Sequence, residues 1–190
     1  MNLRVAQPGG NEVKVDAVRA LDIALGDVPW RFEREKNETI AAHFARLRKS
    51  KPALWNGPVL LFRDCVLVDG VFRAEAFRTD YASFLAWLDG LDGGTETAAG
   101  VRNCFACPVV KSSDGAFLLG VMAPHTANAG QVYFPCGTPD FDDLVDGRVD
   151  LDSSVARELR EETGLLTADL APAPGWIVVS DGPYVALLRR

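Results

Sequence analysis

Cysteine is scarce in this chain, which has four among 190 residues. Four are too few for a disulfide scaffold in a chain of this length. Cationic side chains are also in the minority, 20 Lys and Arg against 26 Asp and Glu, giving a net charge of −6. That balance argues against a nucleic-acid partner, because such affinity is dominated by cationic contacts to phosphates. A small phosphorylated substrate remains allowed, since a metal ion can supply the positive charge. There is no apolar run of membrane-spanning length and no cleavable leader, so the expectation is a soluble, cytoplasmic protein with no membrane partner. Internal repeats, low-complexity tracts and a glycine-rich phosphate loop are absent as well.

What is present suits a globular α/β protein. Hydrophobic residues make up 48% of the chain, and its length fits one ordinary domain or one with a small companion. Residues 1–92 read as a small α/β module, 93–100 as a Gly-containing linker, and 101–190 as a second unit. Glu12 to Leu25 reads as a strand followed by a short helix. A clearer helix starts at Asn37, with Ile40, Phe44 and Leu47 on one face and Arg46, Arg48, Lys49 and Lys51 gathered near its end. Cations there suit the negative end of the helix dipole, and His43 is expected at the surface or half-buried. Val59 to Val68 and Val71 to Phe77 read as strands joined across Asp69-Gly70, and Asp80 as the cap of a helix through Leu88.

In the second unit, Val101 to Val110 reads as a strand that turns at Ser112 to Gly115 and returns as Ala116 to Met122. Cys104 and Cys107 lie three apart on that strand and so point to opposite faces. A zinc site would need a second pair, and only Cys65 and Cys136 remain, singly placed. These cysteines therefore read as buried structural thiols. A loop through His125 and Asn128, a short strand Gln131 to Phe134, and two late strands, Trp176 to Val179 and Tyr184 to Leu188, complete the unit.

The most informative stretch lies between them. Leu151, Val155 and Leu159 recur at helical spacing, Asp150 is a natural N-cap and Gly164 a natural stop, so a helix is expected over Leu151 to Thr163. On it, Glu158, Glu161 and Glu162 stand at i, i+3 and i+4. Three carboxylates on one turn repel, at a cost of roughly 0.2–0.5 kcal/mol per pair. Arg157 can relieve part of this by pairing with Glu161. A divalent cation would satisfy the cluster better, because magnesium takes hard oxygen ligands and commonly bridges carboxylates to phosphates.

Arg157-Glu-Leu-Arg-Glu-Glu-Thr-Gly-Leu165 resembles the Nudix box, G-x5-E-x7-R-E-U-x-E-E-x-G-U, and matches every specified position from Arg157 onward. Phe134-Pro-Cys-Gly137 is similar to the family's Pro-Gly-Gly lead-in, with Cys136 in place of the first glycine. Two departures stand out. Gly137 lies twenty residues before Arg157 where the pattern has fourteen, so about six extra residues occupy the intervening loop, and Val149 holds the place of the earlier glutamate. Asp150 or Asp152 is a candidate replacement. The expanded loop, with Asp140, Asp142 and Asp143, reads as a solvated acidic insertion, with a lid as the alternative.

The resemblance implies an α/β/α sandwich with a mixed sheet, shortened at its C-terminal end, and Mg2+ (or Mn2+) held by Glu158, Glu161 and Glu162. Arg157 would orient Glu161, and the backbone carbonyl of Cys136 would add a metal ligand. Gly137, His125 and Asn128 would meet substrate. The implied activity is hydrolysis of the pyrophosphate of a nucleoside diphosphate linked to another moiety. Leu54-Trp55-Asn56 and the strands that follow are loosely similar to the leading module of UDP-sugar-cleaving members, so a nucleotide sugar leads. A non-catalytic nucleotide-sensing domain is the alternative, and a homodimer is allowed.

Overall fold

The computed structural model describes residues 13–122 and 130–190. In chain order it contains β1 (Lys14–Val18), β2 (Ala20–Leu25), α1 (Arg31–Glu35), α2 (Asn37–Ser50), β3 (Pro58–Val68), β4 (Val71–Asp80), α3 (Tyr81–Leu88) and α4 (Thr95–Ala98). There follow β5 (Asn103–Pro108), β6 (Gly120–Val121), β7 (Val132–Tyr133), β8 (Leu144–Val145), β9 (Arg148–Val149), α5 (Leu151–Thr163), β10 (Trp176–Asp181) and β11 (Tyr184–Arg189). Single 3-10 turns lie at Phe141–Asp143 and Thr167–Asp169.

The strands form mixed sheets. One runs β1-β10-β11-β5, with only β11 and β5 parallel. The other runs β3-β4-β2-β9-β8, with only β2 and β4 parallel. β6 and β7 form a separate pair. The chain is thus mixed α/β, and among the described residues no helix is long and apolar enough to cross a membrane.

Residues 13–25 depart from expectation, forming two strands rather than a strand and a helix. β1 runs antiparallel to β10 from Lys14↔Ser180 to Val18↔Trp176, and β2 runs parallel to β4 from Ala20↔Val71 to Leu25↔Ala76. The Ala and Leu residues of β2 favour helix only weakly, and the ladder bonds plus burial of Ile23 override that preference. Only Arg19 separates two strands that enter different sheets. Strand pairing therefore crosses the segment read as a linker, and one core draws on Val18, Phe62, Ala106, Val155 and Leu187. The linker segment itself carries α4, tied down by Trp30 Nε1 donating to Glu96 at 2.7 Å and Trp87 Nε1 to Thr97 at 3.2 Å.

A second core gathers under the helices of the first half, where Trp30 packs against Phe32, Phe77 and Trp87 at centroid distances of 5.0, 5.5 and 6.2 Å. His43 is buried there rather than surface-placed, with Nε2 2.8 Å from the Asp89 carboxylate. Asp80 caps α3 as expected, accepting from Ser83 N–H at 2.8 Å, and Asp69 and Gly70 both take positive φ in the β3–β4 turn. Asn56 reinforces the start of α3 by accepting from Ala82 N–H at 2.7 Å, whereas neighbouring Trp55 is 74% exposed.

The expected return strand at 116–122 is largely missing. β5 is already taken by β11 along one edge and by a bridge to Gly137, so the return makes only a Lys111↔Phe117 bridge. Its far end, Gly120–Val121, pairs with Val132–Tyr133 instead.

Candidate active site

Helix α5 forms as its pattern demands. Asp150 accepts from Ser153 N–H at 3.1 Å, Gly164 ends the helix at φ 76°, and Leu151, Val155 and Leu159 are 3%, 5% and 1% exposed. Each such side chain contributes about 1.5–3 kcal/mol on burial, which fixes the helix against the sheets and leaves its carboxylates on another flank.

Glu158 is half-buried and lies against the backbone of Gly137. A methyl group on that glycine would sit 2.5 Å from both Cδ and Oε1 of Glu158, so only glycine permits the approach without displacing the carboxylate. Gly137 is held in turn by β5, its N–H donating to Ala106 O at 3.2 Å and its carbonyl accepting from Ala106 N–H at 3.1 Å. The Gly137 carbonyl is therefore directed at the strand and away from the acids. Glu162 stands near the backbone N–H of Cys136, and both Glu161 and Glu162 are exposed. The turn before the expanded loop and the carboxylate turn of α5 thus meet at two points, Gly137 with Glu158 and Cys136 with Glu162.

The electrostatics of this contact are unfavourable without a cation. Burial raises the Glu158 carboxyl above its ordinary range, the neighbouring Glu162 raises it further, and Arg157 opposes both. Partial desolvation likewise raises Glu162, exposed though it is, with the Cys136 N–H opposing and Glu161 adding to the rise. Hard carboxylate oxygens whose mutual repulsion is only partly relieved fit a divalent cation in chemistry. They are not gathered in advance, however. Among the described residues no group of three or more His, Cys, Asp or Glu side chains stands close enough to hold a metal ion. Of the three glutamates, Glu158 and Glu162 are the two that meet the turn before the loop.

Arg157 does not pair with Glu161. It reaches Asp143 instead, Nη1 to Oδ1 at 2.7 Å and Nη2 to Oδ2 at 3.2 Å, with a longer approach of 3.7 Å to Glu158. Asp143, whose side chain is 1% exposed, also accepts from Asp140 N–H at 3.0 Å. This two-point ion pair outcompetes an exposed i, i+4 partner because the fork of the guanidinium matches the carboxylate and the site is shielded from water. Neither proposed replacement for the missing glutamate joins the cluster. Asp150 caps the helix, and Asp152 meets Arg189 Nε at 3.0 Å. The one local signal at Asp143 is the reciprocal spacing of a capping box in Asp140-Phe-Asp-Asp143, which marks the turn but not the pairing with Arg157.

The expanded loop is solvent-exposed at Phe141, Asp142 and 145–148, as a solvated acidic insertion would be, but Asp143 is buried and the loop is tied to the sheet. Its 3-10 turn leads into the β8–β9 hairpin, whose Asp146-Gly147 turn takes positive φ at both residues, and Leu25 N–H donates to Gly147 O at 2.9 Å. Val149 lies on β9, in contact with the main core. His125 and Asn128 lie outside the described residues. A cavity of about 750 Å³ opens along the other flank of α5, between Val155, Leu159, Pro108 and Leu170, and none of the three glutamates lines it.

No protein-family model matches this chain, and no curated protein matches it.

Proposed function

We propose that this chain is a Nudix-type hydrolase built on that family's α/β/α sandwich, cleaving the pyrophosphate of a nucleoside diphosphate linked to a second moiety. The observation that carries the reading is the double contact of Gly137 with Glu158 and of Cys136 with Glu162, which sets the box helix against its own lead-in loop. Water attacks one phosphorus in line, the bridging P–O bond breaks, and a nucleoside monophosphate leaves together with the phosphorylated second moiety. Bound magnesium would supply charge neutralisation at the phosphoryl oxygens. Glu158, Glu161 and Glu162 would hold that cation, and one of these carboxylates would take the proton of the attacking water. Arg157 acts as a positioning residue, anchoring the carboxylate turn through Asp143. Nucleotide sugars, UDP-linked ones first, are the leading substrates through the likeness around Leu54-Trp55-Asn56.

A second reading, a nucleotide-sensing domain without turnover, is favoured by Val149 in the place of a glutamate and by the lack of a preformed carboxylate triad among the described residues. Incubation with a panel of nucleoside diphosphate compounds and magnesium separates the two. Release of nucleoside monophosphate, abolished by Glu162→Gln, supports the hydrolase, whereas magnesium-dependent binding with intact ligand supports the sensor.

A further inference from the structure

The hydrolase reading uses the backbone of Cys136 but none of the cysteine thiols. Ala106 and Gly137 exchange both backbone hydrogen bonds, at 3.1 and 3.2 Å, which makes them a hydrogen-bonded antiparallel pair. One step along each chain from such a pair brings Cys107 opposite Cys136 in the non-hydrogen-bonded position. There Cα atoms approach to about 4.5 Å and side chains are closest. That separation falls within the Cα range of about 4.4–6.8 Å that a disulfide spans. Cys107 is buried and Cys136 half-buried, and neither is drawn into another bond. The neighbouring Cys136 thiol together with burial pushes the Cys107 thiol far above its ordinary range. Cys104, three residues along β5, faces the other way and meets Cys65, so the C-x-x-C spacing does not pair with itself.

We propose that Cys107 and Cys136 are a reversible disulfide site that staples β5 to the loop immediately before Gly137, with a low-molecular-weight disulfide of the glutathione type as oxidant. Cys136, the more accessible thiol, attacks the oxidant's S–S bond and releases one thiol, leaving a mixed disulfide. Cys107 then attacks the Cys136 sulfur, releasing the second thiol and closing the protein bond. Two protein thiols are oxidised, one external disulfide is reduced to two thiols, and the two protons leave with them. The bond would fix the residue whose backbone N–H stands near Glu162, but its formation does not depend on the hydrolase reading.

The test treats the folded full chain with glutathione disulfide, then maps cysteine-linked peptides by mass spectrometry without reduction. A Cys107–Cys136 cross-link is expected in the parent and in Cys65→Ser, and it is lost on adding dithiothreitol. Cys107→Ser should stop at a glutathione adduct on Cys136, and Cys136→Ser should leave Cys107 unmodified. A parent that remains unmodified, that halts as the Cys136 adduct, or that links Cys104 to Cys107 overturns the proposal. So does adduct formation on Cys107 in the Cys136→Ser chain.

Discussion

Arg157 grips Asp143 across the gap between α5 and the expanded loop, and the carboxylate it holds is 1% exposed while the guanidinium is 31% exposed. Removing the cation strands a buried negative charge, which costs more than the pair itself contributes. Arg157→Met should therefore lose about 3 kcal/mol, the low end for a buried pair because water still reaches the guanidinium. Asp143→Asn in the Arg157→Met background should recover part of that loss. Urea unfolding of the two single variants and the double variant measures it, and an Arg157→Met protein as stable as the parent would show that the pair is incidental.

The approach of Gly137 to Glu158 separates stability from site geometry. In Gly137→Ala the new methyl meets the end of a flexible side chain and not backbone, so the carboxylate moves and the fold survives. The loss of stability should stay below about 1 kcal/mol. Turnover of the best substrate should fall at least tenfold, and the rise in Tm on adding magnesium should shrink. A variant with parental activity would mean that the position of Glu158 is immaterial.

How much of this was readable in advance depends on whether the deciding partners are local. Helix α5 was legible from end to end because its cap, apolar stripe and glycine stop all lie within fifteen residues. The β3–β4 hairpin and the cap of α3 are local in the same sense. β1 and β2 were not fully legible, because their strand state depends on ladders with Trp176–Asp181 and Val71–Asp80 far along the chain. The same limit explains Arg157. Its i, i+4 neighbour Glu161 is visible in sequence, but the burial that makes Asp143 the better partner arises only once the hairpin has docked.

The raised carboxyls of Glu158 and Glu162 carry a definite pH signature. A carboxyl whose folded value is raised binds its proton more tightly when folded. Its contribution to stability is therefore present below the ordinary carboxylate range and is lost as pH rises through the folded value. At neutral pH both charges oppose folding. With metal chelated, Glu158→Gln and Glu162→Gln should each raise stability by roughly 0.2–0.5 kcal/mol per like-charge pair removed, and the gain should fade towards about pH 4. Magnesium should reverse the order, stabilising the parent more than either variant. Thermal melts across pH with and without magnesium provide the check, and variants less stable than the parent in chelator at neutral pH would contradict it.

The expanded loop offers a last test, because a lid and a docked hairpin differ in how their hydrogen bonds open. Besides the Ala24↔Arg148 strand pairing and the Arg157–Asp143 ion pair, three backbone bonds tie the loop to the rest of the protein: Leu60 N–H to Pro139 O at 2.8 Å, Asp150 N–H to Asp143 O at 2.8 Å, and Leu25 N–H to Gly147 O at 2.9 Å. Two of the donors belong to strands of the five-stranded sheet and the third caps the carboxylate helix. Opening the loop would break all three and expose the Asp143 carboxylate. Amide exchange at Leu25, Leu60 and Asp150 should consequently be as slow as within the β3–β4 ladder. Exchange at the rate of a free surface loop would show that the insertion swings away from the sheet, and the acidic turn of α5 would then be uncovered from the Asp143 side.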